Sequence, residues 1–173
     1  DVIGFAATCM QTLPDRRFVL CAGQACDLAL VDLRRMAVVH RLHGHRNWVE
    51  RATVHRMALD GDPAASGVSM SALAVSVCRD GALRVWDLAH ERGAADDGGS
   101  YVAARGRSHL RLPEAERGEA VRVSSLHLST DGAALLVVTE ACARLFGCDA
   151  GEPGQCRLQC VGSFALPGTA PAL

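Results

Sequence analysis

The sequence contains no lysine: its 18 lysine-plus-arginine residues are all arginines, and with 19 acidic residues they leave a net charge of -1. A Walker P-loop needs a lysine to reach the nucleotide phosphates, and Schiff-base catalysis needs a lysine amine. The sequence therefore excludes both kinds of site. A net charge this close to zero gives no general argument for binding nucleic acid or anionic lipid, and we expect no nucleic-acid partner.

Long hydrophobic runs are also missing, since no segment approaches the roughly 18 apolar residues of a membrane-spanning helix. The first residues, "DVIGFAATCM", have neither Met nor the charged start of a signal peptide, and they begin inside an apolar run. We interpret this start as that of a fragment. Hydrophobic residues make up 49% of the 173 residues, which is enough for a folded core.

Cysteine is abundant, but no pair has the C-x-x-C spacing of many metal and redox sites. Several of the eight cysteines lie inside apolar runs, as Cys21 does in "FVLCAG" and Cys78 in "LAVSVC". Free cysteine behaves as a small buried hydrophobe, so we predict reduced core thiols and a cytoplasmic setting. A disulfide from Cys148 to Cys156 or Cys160 is an alternative only under oxidation.

Apolar runs of strand length dominate the chain, and helical periodicity is weak. Three segments share one pattern, in which an apolar strand, a short break and a second strand form a hairpin. They are Arg17–Leu33, Leu73–Leu88 and Ala134–Asp149. A further strand is predicted before each hairpin (Val2–Met10, Trp48–Ala58, Val121–Ser129) and another after it (Ala37–His43, Tyr101–Leu112, Cys156–Leu166).

Four strands in each of three units predict an all-β fold with about three four-stranded blades of an incomplete β-propeller. The predicted blades span about 1–43, 44–112 and 113–166, with insertions at about 60–71 and 90–100 and a flexible tail at 167–173. Three blades cannot close a ring of four to eight, so we expect further blades in a longer protein or in a partner. Arginine-rich segments at 40–46 and 105–111 are interpreted as solvated loops.

The middle unit carries the most informative residues. Gly44-His45 precedes its first strand, Asp80-Gly81 forms the hairpin turn, and Trp86-Asp87 lies near the end of "LRVWDL". This pattern resembles the WD-repeat family. The resemblance implies a fold-holding network of His45, Ser76, Asp80 and Trp86, in which the aspartate fixes the histidine tautomer and the serine joins the two rings.

The flanking units depart from that pattern. Ala25 and Glu140 stand where the middle unit has Asp80, and Val31 and Phe146 stand where it has Trp86. Neither unit can build the full network, so their assignment as blades depends on periodicity alone.

Catalytic and metal-binding patterns are weak by comparison. His40, His43 and His45 lie close in sequence, and His43 and His45 would share one face of a strand, but a catalytic zinc needs a third ligand. No G-x-S-x-G or G-x-G-x-x-G pattern occurs. We predict no enzyme activity, metal or cofactor. A hydrolase or metal enzyme using His43, His45 and cysteine is the alternative from another class.

The predicted function is a rigid platform for other proteins, with Arg46, Asn47 and Arg79 as a contact patch on one rim. The strand residues of Arg17–Cys160 are similar to the N-terminal propellers of the rabconnectin beta family. That likeness implies a large rabconnectin alpha-like partner, assembly of the V-type ATPase, association with regulators of Rab GTPases, and a cytoplasmic location at endomembrane vesicles. The alternative is another WD-repeat adaptor, such as a ubiquitin-ligase substrate receptor or an RNA-processing scaffold.

Overall fold

The computed structural model describes residues 2–57, 68–91, 100–102, 106–119, 121–150 and 156–166. Apart from one short helix, α1 (Pro113–Glu116), the regular structure of these residues consists of β-strands. The strands are β1 (Ala7–Thr12), β2 (Phe18–Gly23), β3 (Leu28–Asp32), β4 (Ala37–Leu42), β5 (Val49–Met57), β6 (Val68–Cys78), β7 (Ala82–Glu91), β8 (Ser100–Val102), β9 (Gly106–Arg111), β10 (Val123–Leu128), β11 (Ala134–Thr139), β12 (Cys142–Ala150) and β13 (Cys156–Ala165). No helix in these ranges is long and apolar enough to cross a membrane.

The described strands form three antiparallel sheets, each with its strands in sequence order. The first sheet is β1-β2-β3-β4 and the third is β10-β11-β12-β13. In the middle sheet, β5-β6-β7 is completed by two short strands, because β8 pairs with one end of β7 and β9 with the other. The structure thus confirms the predicted all-β, blade-like architecture, with four strands in the first and third sheets and with β8 and β9 together in the place of the fourth strand of the middle sheet.

The first strands of the three sheets lie next to one another, with β5 between β1 and β10. Cys9 Sγ of β1 is 3.4 Å from both the backbone N and O of Ala52 in β5. On the other side, the backbone N–H of Val123 in β10 donates to Glu50 Oε2 at 3.1 Å. The sheets therefore diverge from a shared set of inner strands, as the blades of a propeller do.

The middle sheet is buried on both faces because it lies between the other two. Leu73, Val75 and Val77 of β6 join a core shared with the third sheet, whereas Ala72 and Ala74 face the first sheet. A strand with alternate residues in two different cores reads as a continuous apolar run, which explains "SALAVSVC".

Several boundaries differ from the sequence prediction. β1 begins at Ala7, five residues after the predicted start. β6 begins at Val68, inside the predicted insertion at 60–71, because Val68 pairs with Glu91 and extends the hairpin. β8 likewise begins at Ser100, the last residue of the other insertion. Residues 60–67, 92–99 and the predicted tail 167–173 lie outside the described residues.

The arginine-rich segments are solvated loops only in part: residues 43–46 follow β4 outside any strand, with His43 and Arg46 exposed. Residues 40–42 belong to β4 and residues 106–111 to β9, where backbone pairing with β3 and β7 holds them.

Helix α1 lies between β9 and β10, where the sequence analysis predicted no helix. Pro113 occupies its first turn, where the missing N–H costs nothing. Its Glu114 is buried and forms an ion pair with Arg144 of β12. This contact holds the connection between the middle and third sheets against the core.

Gly81, in the β6–β7 turn, allows a test of this packing. Its φ is +71°, and a Cβ there would lie 2.6 Å from the Ala115 Cβ. Gly118 has a similar φ of +80° and nothing within 4 Å of its Cβ position. We expect Gly118→Ala to cost about 1–2 kcal/mol through the backbone alone, and Gly81→Ala to cost about 1–3 kcal/mol more through the clash. Equal losses in urea unfolding would show that α1 does not press on this turn.

Candidate functional site

A buried hydrogen-bonded chain links His45, Ser76 and Trp86. The β6–β7 register pairs Ser76 with Arg84 and Ala74 with Trp86, so these side chains share the face toward the first sheet. Trp86 Nε1 donates to Ser76 Oγ at 2.8 Å, and Ser76 Oγ lies 2.7 Å from His45 Nε2. These hydrogen bonds thus join β6 and β7 of the middle sheet to the segment before β5.

The donors in this hydrogen-bonded chain determine the tautomer of His45. Ser76 Oγ accepts a hydrogen bond from the Trp86 indole, so its hydroxyl hydrogen is free to donate to His45 Nε2. Since Nε2 then acts as an acceptor, the proton of the neutral imidazole lies on Nδ1. Burial, followed by the charge of Arg84, lowers the pKa of His45 to about 4. The imidazole is therefore neutral at pH 7.

Asp80, the fourth residue of the expected network, bonds elsewhere. Its Oδ1 accepts from the Cys78 thiol and from the Ala82 N–H at 3.3 Å. Its Oδ2 lies 3.8 Å from Arg111 Nη2. Among the described residues, His45 Nδ1 has no hydrogen-bond partner. An aspartate in a tight turn readily accepts from the backbone two residues on, and here that local bond takes the place of the expected contact with His45.

The Cys78 thiol beside Asp80 is not an activated nucleophile. Burial, and then the hydrogen bond to Asp80, raises the pKa of Cys78 to about 12. A thiol with so high a pKa is a poor nucleophile at neutral pH. Cys78 therefore serves the packing of the turn.

Of the predicted contact patch, Arg79 and Asn47 gather around Trp48. The Arg79 guanidinium lies 5.7 Å from the centroid of the Trp48 ring, and its backbone N–H donates to the Trp48 carbonyl at 2.9 Å. Asn47 Oδ1 accepts from the Trp48 N–H at 2.8 Å. Trp48 is 44% exposed, so one bulky aromatic side chain is held at the surface by its neighbours.

Trp48 and Arg79 border a cavity of about 440 Å³ where the inner strands of the three sheets meet, here called the central cavity. Its charged lining consists of Glu50, Arg51, Arg79, Arg122 and Glu140. The Arg51 side chain donates to the carbonyls of Ser124 and Glu50. Residues from all three sheets thus contribute to one polar surface.

Arg46 is the third residue of the predicted patch. Together with His45 and Asp80 it lines a second cavity of about 420 Å³, whereas Arg79 lines the central cavity. We call this second cavity the basic cavity.

The two histidines considered as a metal pair point to different partners. His43 Nδ1 is 3.0 Å from Asp27 Oδ1 at the surface, whereas His45 is buried on Ser76. Within the described ranges, no group of three or more His, Cys, Asp or Glu is placed to hold a metal ion. The cysteines described there are free thiols, namely Cys9, Cys21, Cys26, Cys78, Cys142, Cys148 and Cys160.

No protein-family model matches this sequence, and no curated protein matches it significantly. The resemblance to the WD-repeat family therefore stays a prediction from the residues of the middle unit.

Two buried ion pairs were not anticipated from the sequence. Arg17 joins Asp32 across the β2–β3 hairpin with Nη2–Oδ2 at 2.6 Å, and Arg144 joins Glu114. Burial raises the pKa of Glu114, but hydrogen bonds from the backbone, Arg144 and Cys142 outweigh it and lower the pKa overall. The sequence did contain a signal for Arg144, because it is the one charged residue among the inward-facing positions of β12, which are otherwise apolar.

The lining of the central cavity was also missed. Glu50 lies in β5 of the middle sheet, whereas Arg122 precedes β10 and Glu140 lies between β11 and β12 of the third sheet, and no sequence spacing relates the three. Arg84 could have been found from the strand alternation of "LRVWDL", which places it on the same face as Trp86 and therefore near His45.

Proposed function

We propose that the chain is a non-enzymatic protein-interaction scaffold built from blades of the WD-repeat type. The observation that carries this proposal is the exposed Trp48–Arg79 pair beside the central cavity. Tryptophan and arginine are the residues most enriched among those that dominate binding energy at protein interfaces. The Arg79 N–H bond to the Trp48 carbonyl fixes the backbone that carries the pair, so little loop freedom is left to lose on binding.

The charges around the pair favour a partner segment with an apolar side chain next to a carboxylate. Arg79 Nε is 4.0 Å from Glu50 Oε1, a distance too long for a hydrogen bond. The guanidinium can therefore turn its remaining donors toward an incoming acceptor. The Trp48 ring supplies the adjoining apolar surface.

The test is a paired substitution. We expect Trp48→Ala or Arg79→Ala to weaken binding of a captured partner by about 2 kcal/mol or more, roughly thirtyfold, as measured by calorimetry. Leu33→Ala is the matched control, because Leu33 is also 44% exposed. It follows the last residue of β3, whereas the segment next to Trp48 is Ala25, before the start of β3, whose carbonyl accepts from the Val49 N–H. Equal affinity for all variants would refute the Trp48–Arg79 pair as the contact surface.

The complex that we propose first is the assembly machinery of the V-type ATPase at endomembrane vesicles, with a rabconnectin alpha-like subunit as the partner. This follows the similarity of Arg17–Cys160 to the rabconnectin beta family. Affinity purification from cells should recover V-type ATPase subunits or that partner, and Trp48→Ala should lower the recovery. Recovery of ubiquitin-ligase or ribonucleoprotein components instead would replace this assignment with another WD-repeat adaptor.

A further inference from the structure

The basic cavity has a strong excess of cationic side chains. It is lined by three arginines, two histidines and one aspartate, together with small residues: Gly44, His45, Arg46, Asp80, Ala82, Arg84, His109 and Arg111. Three guanidinium groups face one carboxylate, so the lining carries a net charge of about +2 with neutral histidines. Such a concentration of one sign in a concave site attracts anions.

Two buried polar atoms of this lining have no hydrogen-bond partner among the described residues. They are Nδ1 of His45, a residue that is only 7% exposed, and Nε of Arg84. Since His45 Nε2 is taken up by Ser76 Oγ, Nδ1 is left as a buried N–H donor. An unsatisfied buried donor is a destabilising feature, so a native structure that keeps two of them in one cavity calls for an acceptor there.

The fold holds these donors in place. The Arg84 guanidinium lies against the backbone at Gly44, about 3.0 Å from the position that a Cβ would take. Any other residue at 44 would displace it. The hydrogen bond from Ser76 Oγ to Nε2, itself held by the Trp86 indole, fixes the orientation of the His45 ring.

Asp80 is the acceptor that the protein itself could offer. However, its Oδ1 is engaged by Cys78 and Ala82, and its Oδ2 lies nearest to Arg111. Burial raises the pKa of Asp80, but hydrogen bonds from Cys78 and Ala82 and the charge of Arg111 together lower it overall, so the carboxylate stays charged and repels a bound anion. A ligand must therefore gain more from the three arginines than it loses to Asp80.

We propose that the basic cavity binds a phosphomonoester, with His45 Nδ1, Arg84 and Arg46 as donors to the phosphate oxygens. A phosphate dianion carries two charges and several acceptor oxygens, which matches three guanidiniums and one imidazole N–H better than a single carboxylate does. The volume of about 420 Å³ exceeds that of a phosphate group, so the remainder accommodates the esterified part.

The experiment titrates the whole chain with inorganic phosphate and with glucose 6-phosphate in a calorimeter. We expect saturable binding of both, and a loss of about tenfold or more for Arg84→Gln and for Arg46→Gln. Arg34→Gln is the matched control, because it removes the same charge from an exposed position in the β3–β4 turn. The His45 imidazole nitrogen signals in NMR should shift on phosphate addition in the parent chain and not in Arg84→Gln.

Vesicles distinguish a lipid headgroup from a free phosphomonoester. Binding to phosphatidylcholine vesicles containing phosphatidic acid, and not to phosphatidylcholine alone, would assign the phosphate to a membrane lipid, whereas binding of glucose 6-phosphate alone would assign it to a soluble ligand. Absence of saturable binding in every arm overturns the proposal. So does an equal loss in Arg34→Gln, which would indicate only general attraction to positive charge, or an unchanged affinity in Arg84→Gln and Arg46→Gln.

Discussion

Replacing Trp86 by alanine is expected to lower the free energy of unfolding by about 3–5 kcal/mol, as measured by urea denaturation. Trp86 is 2% exposed and belongs to the core between the first and middle sheets. Its removal leaves a cavity at that junction and deprives Ser76 Oγ of its indole donor. Both effects act at the point where two sheets meet, so the loss should appear in the main unfolding transition.

Two variants separate these contributions. Trp86→Phe keeps much of the packing but removes the N–H, and we expect a loss nearer the 1–3 kcal/mol of an unsatisfied buried polar group. Trp48→Ala truncates the other tryptophan of the chain, which is 44% exposed, and should change stability by about 0.5 kcal/mol or less. Similar losses for Trp86→Ala and Trp48→Ala would contradict the buried position of Trp86.

The strands were predictable because each hairpin has a local sequence pattern of two apolar runs separated by a short break. The run "FVLCAG" and the run "LALVD" are strands in the structure as predicted, and so are their counterparts in the third sheet, Ala134–Thr139 and Cys142–Ala150. Local alternation and a short break suffice for this, since the partners are near in sequence.

The functional surfaces were less predictable because they depend on how separate units meet. Trp48 and Arg79 are 31 positions apart and become neighbours only through the start of β5 and the end of β6. The side-chain direction of Asp80 was decided by the competition between His45 and the adjacent backbone, which residue types alone do not reveal. Helix α1 was missed because four residues are too few for a helical period to show.

The Arg17–Asp32 pair gives the second large effect. Asp32 is fully buried and accepts from Arg17 through both oxygens, with Nε–Oδ1 at 3.2 Å and Nη2–Oδ2 at 2.6 Å. The Arg34 N–H adds a third bond at 2.8 Å. We expect Asp32→Ala to cost about 3–5 kcal/mol in urea unfolding, because it removes the buried carboxylate that the Arg17 guanidinium pairs with.

The double variant Arg17→Met/Asp32→Leu provides the control. Replacing a whole buried pair by apolar residues of similar size removes both buried charges, so the double variant should be more stable than Asp32→Ala, which keeps the Arg17 charge. If the two were equally unstable, the loss would come from packing at the β2–β3 hairpin and not from the charge.

Acid should remove the contribution of this pair in a defined range. The hydrogen bond from Arg17, which outweighs the effect of burial, lowers the pKa of Asp32 below its ordinary value of 3.8, and the Arg34 N–H adds to this. A carboxyl group whose pKa is lower in the folded state stabilises the fold above its unfolded pKa, and this stabilisation disappears as the pH falls through the folded pKa. The stability difference between the parent chain and Asp32→Ala should therefore stay constant from neutral pH to about 4 and shrink below it. A difference that begins to shrink near pH 6 would assign the effect to a histidine and not to Asp32.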